Sequence, residues 1–149
     1  VIKRRKTVTI IAILAAVLLV GDAAGAEGMA TIQQSNGSTR TYAHVHMHLA
    51  GRTLYLRSPD RRDTIEIMTN ACSFAGSLER CLPYLTTLHK PGSTHTIALE
   101  RGIVYVNTGA TVAHLPHSSQ GLGPKDVLVY LHTTRGTMIS VRGSLDHSK

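Results

Sequence analysis

Thr41-Tyr42-Ala43-His44-Val45-His46-Met47-His48-Leu49 alternates apolar and polar side chains without a break. Ala43, Val45, Met47 and Leu49 fall on one face; Tyr42, His44, His46 and His48 fall on the other. Successive strand side chains point to opposite sides, so period two over this length specifies a strand with one buried face. A helix would scatter the same residues around its circumference.

Working outward, Ala50-Gly51 turns into a second strand, Thr53 to Ser58, where Leu54 and Leu56 alternate with Tyr55 and Arg57. A polar reversal at 59–63 leads to a third strand, Thr64 to Thr69, with Ile65 and Ile67 inward. Leu78, Cys81, Leu82, Leu85 and Leu88 then recur at spacings of three and four, which predicts a short helix. Pro83 is tolerated in a first helical turn, so the regular part is expected from about Leu82 to Pro91-Gly92. Two hairpins follow, 94–107 around Arg101-Gly102 and 126–145 around Arg135-Gly136. Val127-Leu128-Val129-Tyr130-Leu131 is apolar on both faces, the mark of a central strand covered on both sides. Between the hairpins lies Thr108 to Pro124, a long connection rich in Gly, Ser and Thr, either a surface cover or a functional loop. The expected fold is mainly β: a single antiparallel sheet of about seven strands, curled into a small barrel or sandwich, with one short disulfide-tied helix.

Cys72 and Cys81 are the only cysteines. An isolated pair in an exported chain is expected to form a disulfide, here tying the helix start to the end of the third strand. Eight intervening residues do not match the Cys-x-x-Cys spacing of a redox-active pair.

Upstream, residues 27–40 are polar and aperiodic and read as a flexible lead-in to a single β-rich domain of residues 41–149. Residues 1–26 read as a signal peptide: basic Lys3-Arg4-Arg5-Lys6, an apolar run from Val8 to Val20, and the small-x-small site Ala24-Gly25-Ala26. The run is shorter than the roughly 20 apolar residues that span a bilayer, so no stable membrane insertion is expected once it is cleaved. Val1 would fit translation from a GTG start codon and a bacterial source. The chain is therefore expected to be exported, either periplasmic or secreted.

Export also reshapes the charge. Losing Lys3, Arg4, Arg5, Lys6 and Asp22 takes the formal +7 to +4. The remaining basic residues are scattered, with Arg61-Arg62 the one adjacent pair, so the basic stripe of a nucleic-acid binder is missing. The sequence has no Gly-x-Ser-x-Gly elbow, no His-Glu-x-x-His motif and no complete dinucleotide fingerprint, so an enzyme is the least favoured class.

The nine histidines are the compositional oddity. On a strand, His44, His46 and His48 would project from one face about 6.5–7 Å apart, close enough for two imidazoles to share a metal ion. Copper, zinc or nickel would suit such ligands, with Glu66, His114, His117 or His132 as candidates to complete the set. A row of solvated polar side chains explains the same pattern without a metal. His132, within the apolar strand, is expected to be a hydrogen-bonded core histidine. Two readings emerge. The first is a non-enzymatic binding or structural module of the periplasm or cell envelope, serving an envelope partner or small ligand and needing no cofactor. The second is a periplasmic metal-binding protein built on the His-x-His-x-His strand.

Overall fold

The computed structural model describes residues 28–116 and 118–145, and the elements among them are all β-strands. In chain order they are β1 (Gly28–Gln33), β2 (Thr39–Ala50), β3 (Thr53–Arg57), β4 (Thr64–Ala75), β5 (Leu78–Lys90), β6 (Ser93–Ile97), β7 (Leu99–Asn107), β8 (Ala113–His114), β9 (Gly121–Leu122), β10 (Asp126–Thr133) and β11 (Met138–Ser144). Eight of them close an antiparallel barrel in the order β1-β2-β3-β4-β5-β7-β10-β11 and back to β1. β6 and β7 act as two halves of one long strand. β6 pairs with the C-terminal half of β5 (Thr86↔Ile97 to Lys90↔Ser93), and β7 pairs with its N-terminal half (Leu78↔Asn107 to Cys81↔Val104). Each barrel strand thus pairs with its successor, and closure satisfies backbone groups that an open sheet would leave at its edges.

An up-and-down path places alternate turns at the same end. The β1–β2, β3–β4, β5–β6 and β10–β11 turns gather at one end, where the Thr137 hydroxyl of one turn meets Gln34 of another (3.3 Å). The β2–β3 turn, the β4–β5 turn and the long β7–β10 connection gather at the other. The second end is filled. Met47, Leu54, Ile67, Val127 and Val129 are completely buried inside it. Each such side chain contributes about 1.5–3 kcal/mol of transfer free energy. Gly28 and Gly143 let β1 and β11 close there: a Cβ on Gly143 would lie 2.3 Å from the Gly28 Cα.

The segment read as a helix is instead β5. Its spacing of three and four comes from β-bulges. Opposite Met68 and Thr69 of β4, β5 carries Leu85 and Pro83, which leaves Tyr84 as an extra residue. Two neighbouring side chains, Tyr84 and Leu85, therefore both face outward, and the two-residue alternation slips by one. A proline is accepted because it sits at this irregularity, where β5 passes from β7 to β6. Leu88 and Cys81 point inward, while Leu82, Tyr84 and Leu85 are exposed. A second irregularity, with Ala71 at φ 49°, inserts an extra residue on β4 opposite Cys81. Cys72 and Cys81 meet there in a disulfide, Cα to Cα 4.1 Å, joining two adjacent strands rather than a strand and a helix.

Further expectations change. No hairpin turns at Arg101-Gly102: both residues lie within β7 and pair with His132 and Leu131 of β10. Residues 28–33, within the segment read as a flexible lead-in, form β1 and pair on both sides, with β2 and β11. The barrel therefore begins upstream of Thr41, and it has eight strands rather than seven. The signal-peptide residues 1–26 lie outside the described residues, and so does His117. Val127 to Leu131 is a central strand as expected: β10 pairs with β7 and β11, and its outward Leu128 is covered.

That cover is the 108–125 connection. β8 and β9 form a small hairpin whose Leu115 and Leu122 pack on Leu78 and Leu128, outside the barrel. Asn107, fully buried, holds it with all its polar capacity. Its Nδ2 donates to the carbonyls of Thr111 and Leu122 (both 2.8 Å), and its Oδ1 accepts from Ser77 Oγ (3.0 Å) and Gly109 N (2.9 Å). Arg142 Nη2 donates to the Gly121 carbonyl (2.8 Å). The long connection is a pinned cover over the barrel wall.

Candidate ligand cavity and the histidine face

Eight strands make a barrel just wide enough to be filled by side chains or to hold one small ligand. Here the two ends divide those options. The end packed by Met47, Leu54 and Ile67 is solid. At the opposite end, Ile32, Tyr42, Leu56, Ile65, Leu88 and Ile97 stand around a cavity of about 240 Å³. Ile32, Leu56, Ile65 and Leu88 are inward residues near the open-end termini of their strands, Ile97 ends β6 opposite Thr86 of β5, and Tyr42 is turned inward by a bulge in β2. Ile32, Tyr42, Ile65, Leu88 and Ile97 remain only half-buried.

The rim is polar and mostly cationic. Arg40, Arg57 and Lys90 line the cavity mouth with Asp63, Gln34 and Ser58. Arg40 Nη1 donates to the Tyr42 hydroxyl (3.3 Å), which anchors the guanidinium beside the apolar wall and raises its pKa. The β3–β4 loop is fastened on itself: Ser58 N donates to the Asp63 carbonyl (2.9 Å), and Asp63 N donates to Ser58 Oγ (3.1 Å). In the same loop Asp60 accepts from Ser58 Oγ (2.6 Å) and Arg62 N (3.0 Å), and these bonds hold its carboxyl below the usual carboxylate range. Arg61, Arg62 and Arg135 occupy turns at this same end. Six cations therefore belong to this end of the barrel, three lining the mouth and three in its turns, against the carboxylates of Asp60 and Asp63. Sequence inspection finds these basic residues scattered. They converge only once the up-and-down path puts alternate turns together, and reading charge turn by turn at that parity would have found them.

The histidine row is less regular than its sequence. β1 and β2 shift register between Gly28↔Val45 and Ala30↔Tyr42, which makes a bulge at Ala43 and His44, with His44 at φ 60°. Tyr42 thereby turns inward to the cavity, and Ala43 becomes exposed, the reverse of strict alternation. His46 and His48 keep the outward face, and His48 stacks against Tyr55 with ring centroids 6.3 Å apart. Glu66 is engaged elsewhere: its Oε1 lies 2.9 Å from His89 Nε2, and its Oε2 accepts from the Tyr55 hydroxyl at 3.5 Å. His114 sits on β8, in the cover over β10, with β11 and β1 between it and β2. Among the described residues, the set of three His, Cys, Asp or Glu side chains whose ligand atoms approach within 4.8 Å is Cys72, Glu79 and Cys81. Its two sulfurs are already joined to each other.

His132 is not a core histidine. It faces outward from β10, and its Nδ1 is buried without a hydrogen-bond partner. It borders a second concavity of about 390 Å³ on the outer barrel wall, between Gln33, Ile103, Tyr130 and Met138. Burial raises the Tyr130 pKa there, partly offset by the nearby Arg142 charge. This depression is larger than the mouth cavity, but it lies open on one side of the sheet and Arg101 is the only cation on its border. The mouth cavity lies within the barrel end, lined by residues of β1 to β6 and β11, with Arg40, Arg57 and Lys90 at its mouth, which suits it better to holding a ligand.

No protein-family model, curated protein or solved structure matches this chain.

Proposed function

We propose that this protein is a non-enzymatic binding module that holds a small molecule in the open end of its barrel. The observation that carries the reading is the division of the interior: a solid core at one end and an apolar, half-buried cavity of about 240 Å³ at the other. Folding favours filling such space, since packed interiors are stabilised by close contact. Apolar walls left open beneath a polar rim are the ordinary make-up of a small-molecule site. The Cys72–Cys81 disulfide is compatible with an oxidising compartment, and export to the periplasm or cell envelope fits it. Metal binding through His44, His46 and His48 is the weaker reading, because the bulge at His44 breaks the row and Glu66 is already paired with His89.

A neutral fluorophore that brightens in apolar surroundings tests the cavity directly. 1-Aminoanthracene is expected to bind one-to-one and saturably. Ile97→Trp, which places a large side chain in the cavity, should weaken binding at least tenfold while leaving the melting temperature nearly unchanged. Non-saturable binding, or equal binding by the Ile97→Trp protein, would rule the cavity out.

A further inference from the structure

We infer that the ligand is a small amphipathic carboxylate, with its apolar body inside the barrel and its anionic head at Arg40, Arg57 and Lys90. The inference rests on the cavity reading above and adds the chemical class of what enters. Three observations converge on it.

The first is size. A cavity of about 240 Å³ is below the roughly 300–1,000 Å³ of drug-sized pockets. It admits one chain of modest length or one small flat ring system, not a two-chain lipid. The second is the lining. Ile32, Leu56, Ile65, Leu88 and Ile97 offer apolar surface, with no cation or carboxylate among these inner-wall residues, so the part of the ligand that enters must itself be apolar. The third is the distribution of charge. Arg40, Arg57 and Lys90 border the mouth directly, with Asp63 the one carboxylate among its lining residues. Arg61, Arg62 and Arg135 add positive charge from the surrounding turns, against one further carboxylate, Asp60, which accepts from Ser58 Oγ and the Arg62 backbone.

Like charges gathered at one end repel one another and lower stability slightly unless an anion joins them. A carboxylate head offsets that repulsion. It also matches the planar fork of a guanidinium, which can donate two parallel N–H bonds to its oxygens. Arg40 is positioned for this by its bond to Tyr42, whose ring forms part of the cavity wall. A neutral ligand would gain only the apolar contacts, and a cationic one would meet the field unfavourably.

Calorimetric titration of the full chain with sodium octanoate, 1-octanol and octylammonium chloride separates these cases. Octanoate is expected to bind one-to-one and at least tenfold more tightly than octanol, with octylammonium weakest. Raising salt from about 0.05 to 0.5 M should weaken octanoate and leave octanol unchanged, because exposed charges are screened over a Debye length. In the double variant Arg57→Gln/Lys90→Gln, octanoate should fall to the level of octanol. Octanol binding that is unchanged in this variant shows that the barrel still folds. Equal affinity for octanoate and octanol, or tighter binding of octylammonium, would overturn the carboxylate inference while leaving the cavity reading in place. Failure of all three to bind would overturn both.

Discussion

Met47→Ala is expected to lower the free energy of unfolding by about 3–5 kcal/mol, the upper part of the range for truncating a buried side chain. The reason lies in its neighbours. Met47 is completely buried, and its Sδ lies 3.0 Å from where a Cβ on Gly28 would stand and 2.9 Å from the same point on Gly143. It fills a slot that two glycines leave between β1 and β11. Neither glycine has a side chain to collapse into the space, so most of the cavity persists, and the cost of a cavity grows with the volume that remains. Urea denaturation followed by circular dichroism measures the change. Met138→Ala, on the exposed outer face, is the control and should cost less than about 0.5 kcal/mol. A loss below 1 kcal/mol for Met47→Ala would show that the packed end relaxes easily and is no solid core.

The second large effect concerns the cross-strand bridge. The Cys72→Ser/Cys81→Ser double variant is expected to lose about 2–3 kcal/mol, from a loop of about ten residues in the chain-entropy relation. In a domain of this size that corresponds to a fall in melting temperature of roughly 10 °C. The bridge sits where β4 carries an extra residue opposite Cys81, between regular pairings on either side. Thr64 to Met68 remain paired with β5 on one side of it and Ser73 to Ala75 on the other, so the sheet should survive. The far-ultraviolet spectrum is expected to keep its β character while the melting transition moves. An unchanged transition on reduction would mean that the bulged ladder alone holds the hairpin. Bridge and cavity lie toward opposite ends of β5, so ligand binding at 25 °C should be retained in the variant.

Both effects concern features only half legible in the amino-acid order. Clean alternation was easy to read: Leu54 and Leu56 on β3 and Ile65 and Ile67 on β4 all point inward as their spacing requires. Irregular strands were not. On β5, the extra residue Tyr84 breaks period two, and the leucines on either side then mimic the spacing of a helix face. On β2 the same physics worked unseen within an unbroken alternation. The bulge at His44 turned Tyr42 into the barrel, because register depends on the partner strand as well as on the sequence of the strand itself. β1 was missed because Gly28 and a short, mixed run carry little pattern; pairing with β2 and β11 fixes it as a strand. The disulfide was visible from count and context, although its partner elements were not. The cavity needed the closed topology, since its lining comes from seven strands and the cations at its mouth from strand ends far apart in the chain.

The site itself is best located by a ¹H–¹⁵N NMR titration of the labelled chain with sodium octanoate. Binding in the barrel mouth predicts saturable shifts at Ile32, Tyr42, Arg57, Ile65, Leu88 and Ile97, with the residues around Met47 and Ile67 unmoved. Shifts centred on Ile103, Tyr130 and Met138 of the outer wall, or no saturable shifts at all, would contradict it.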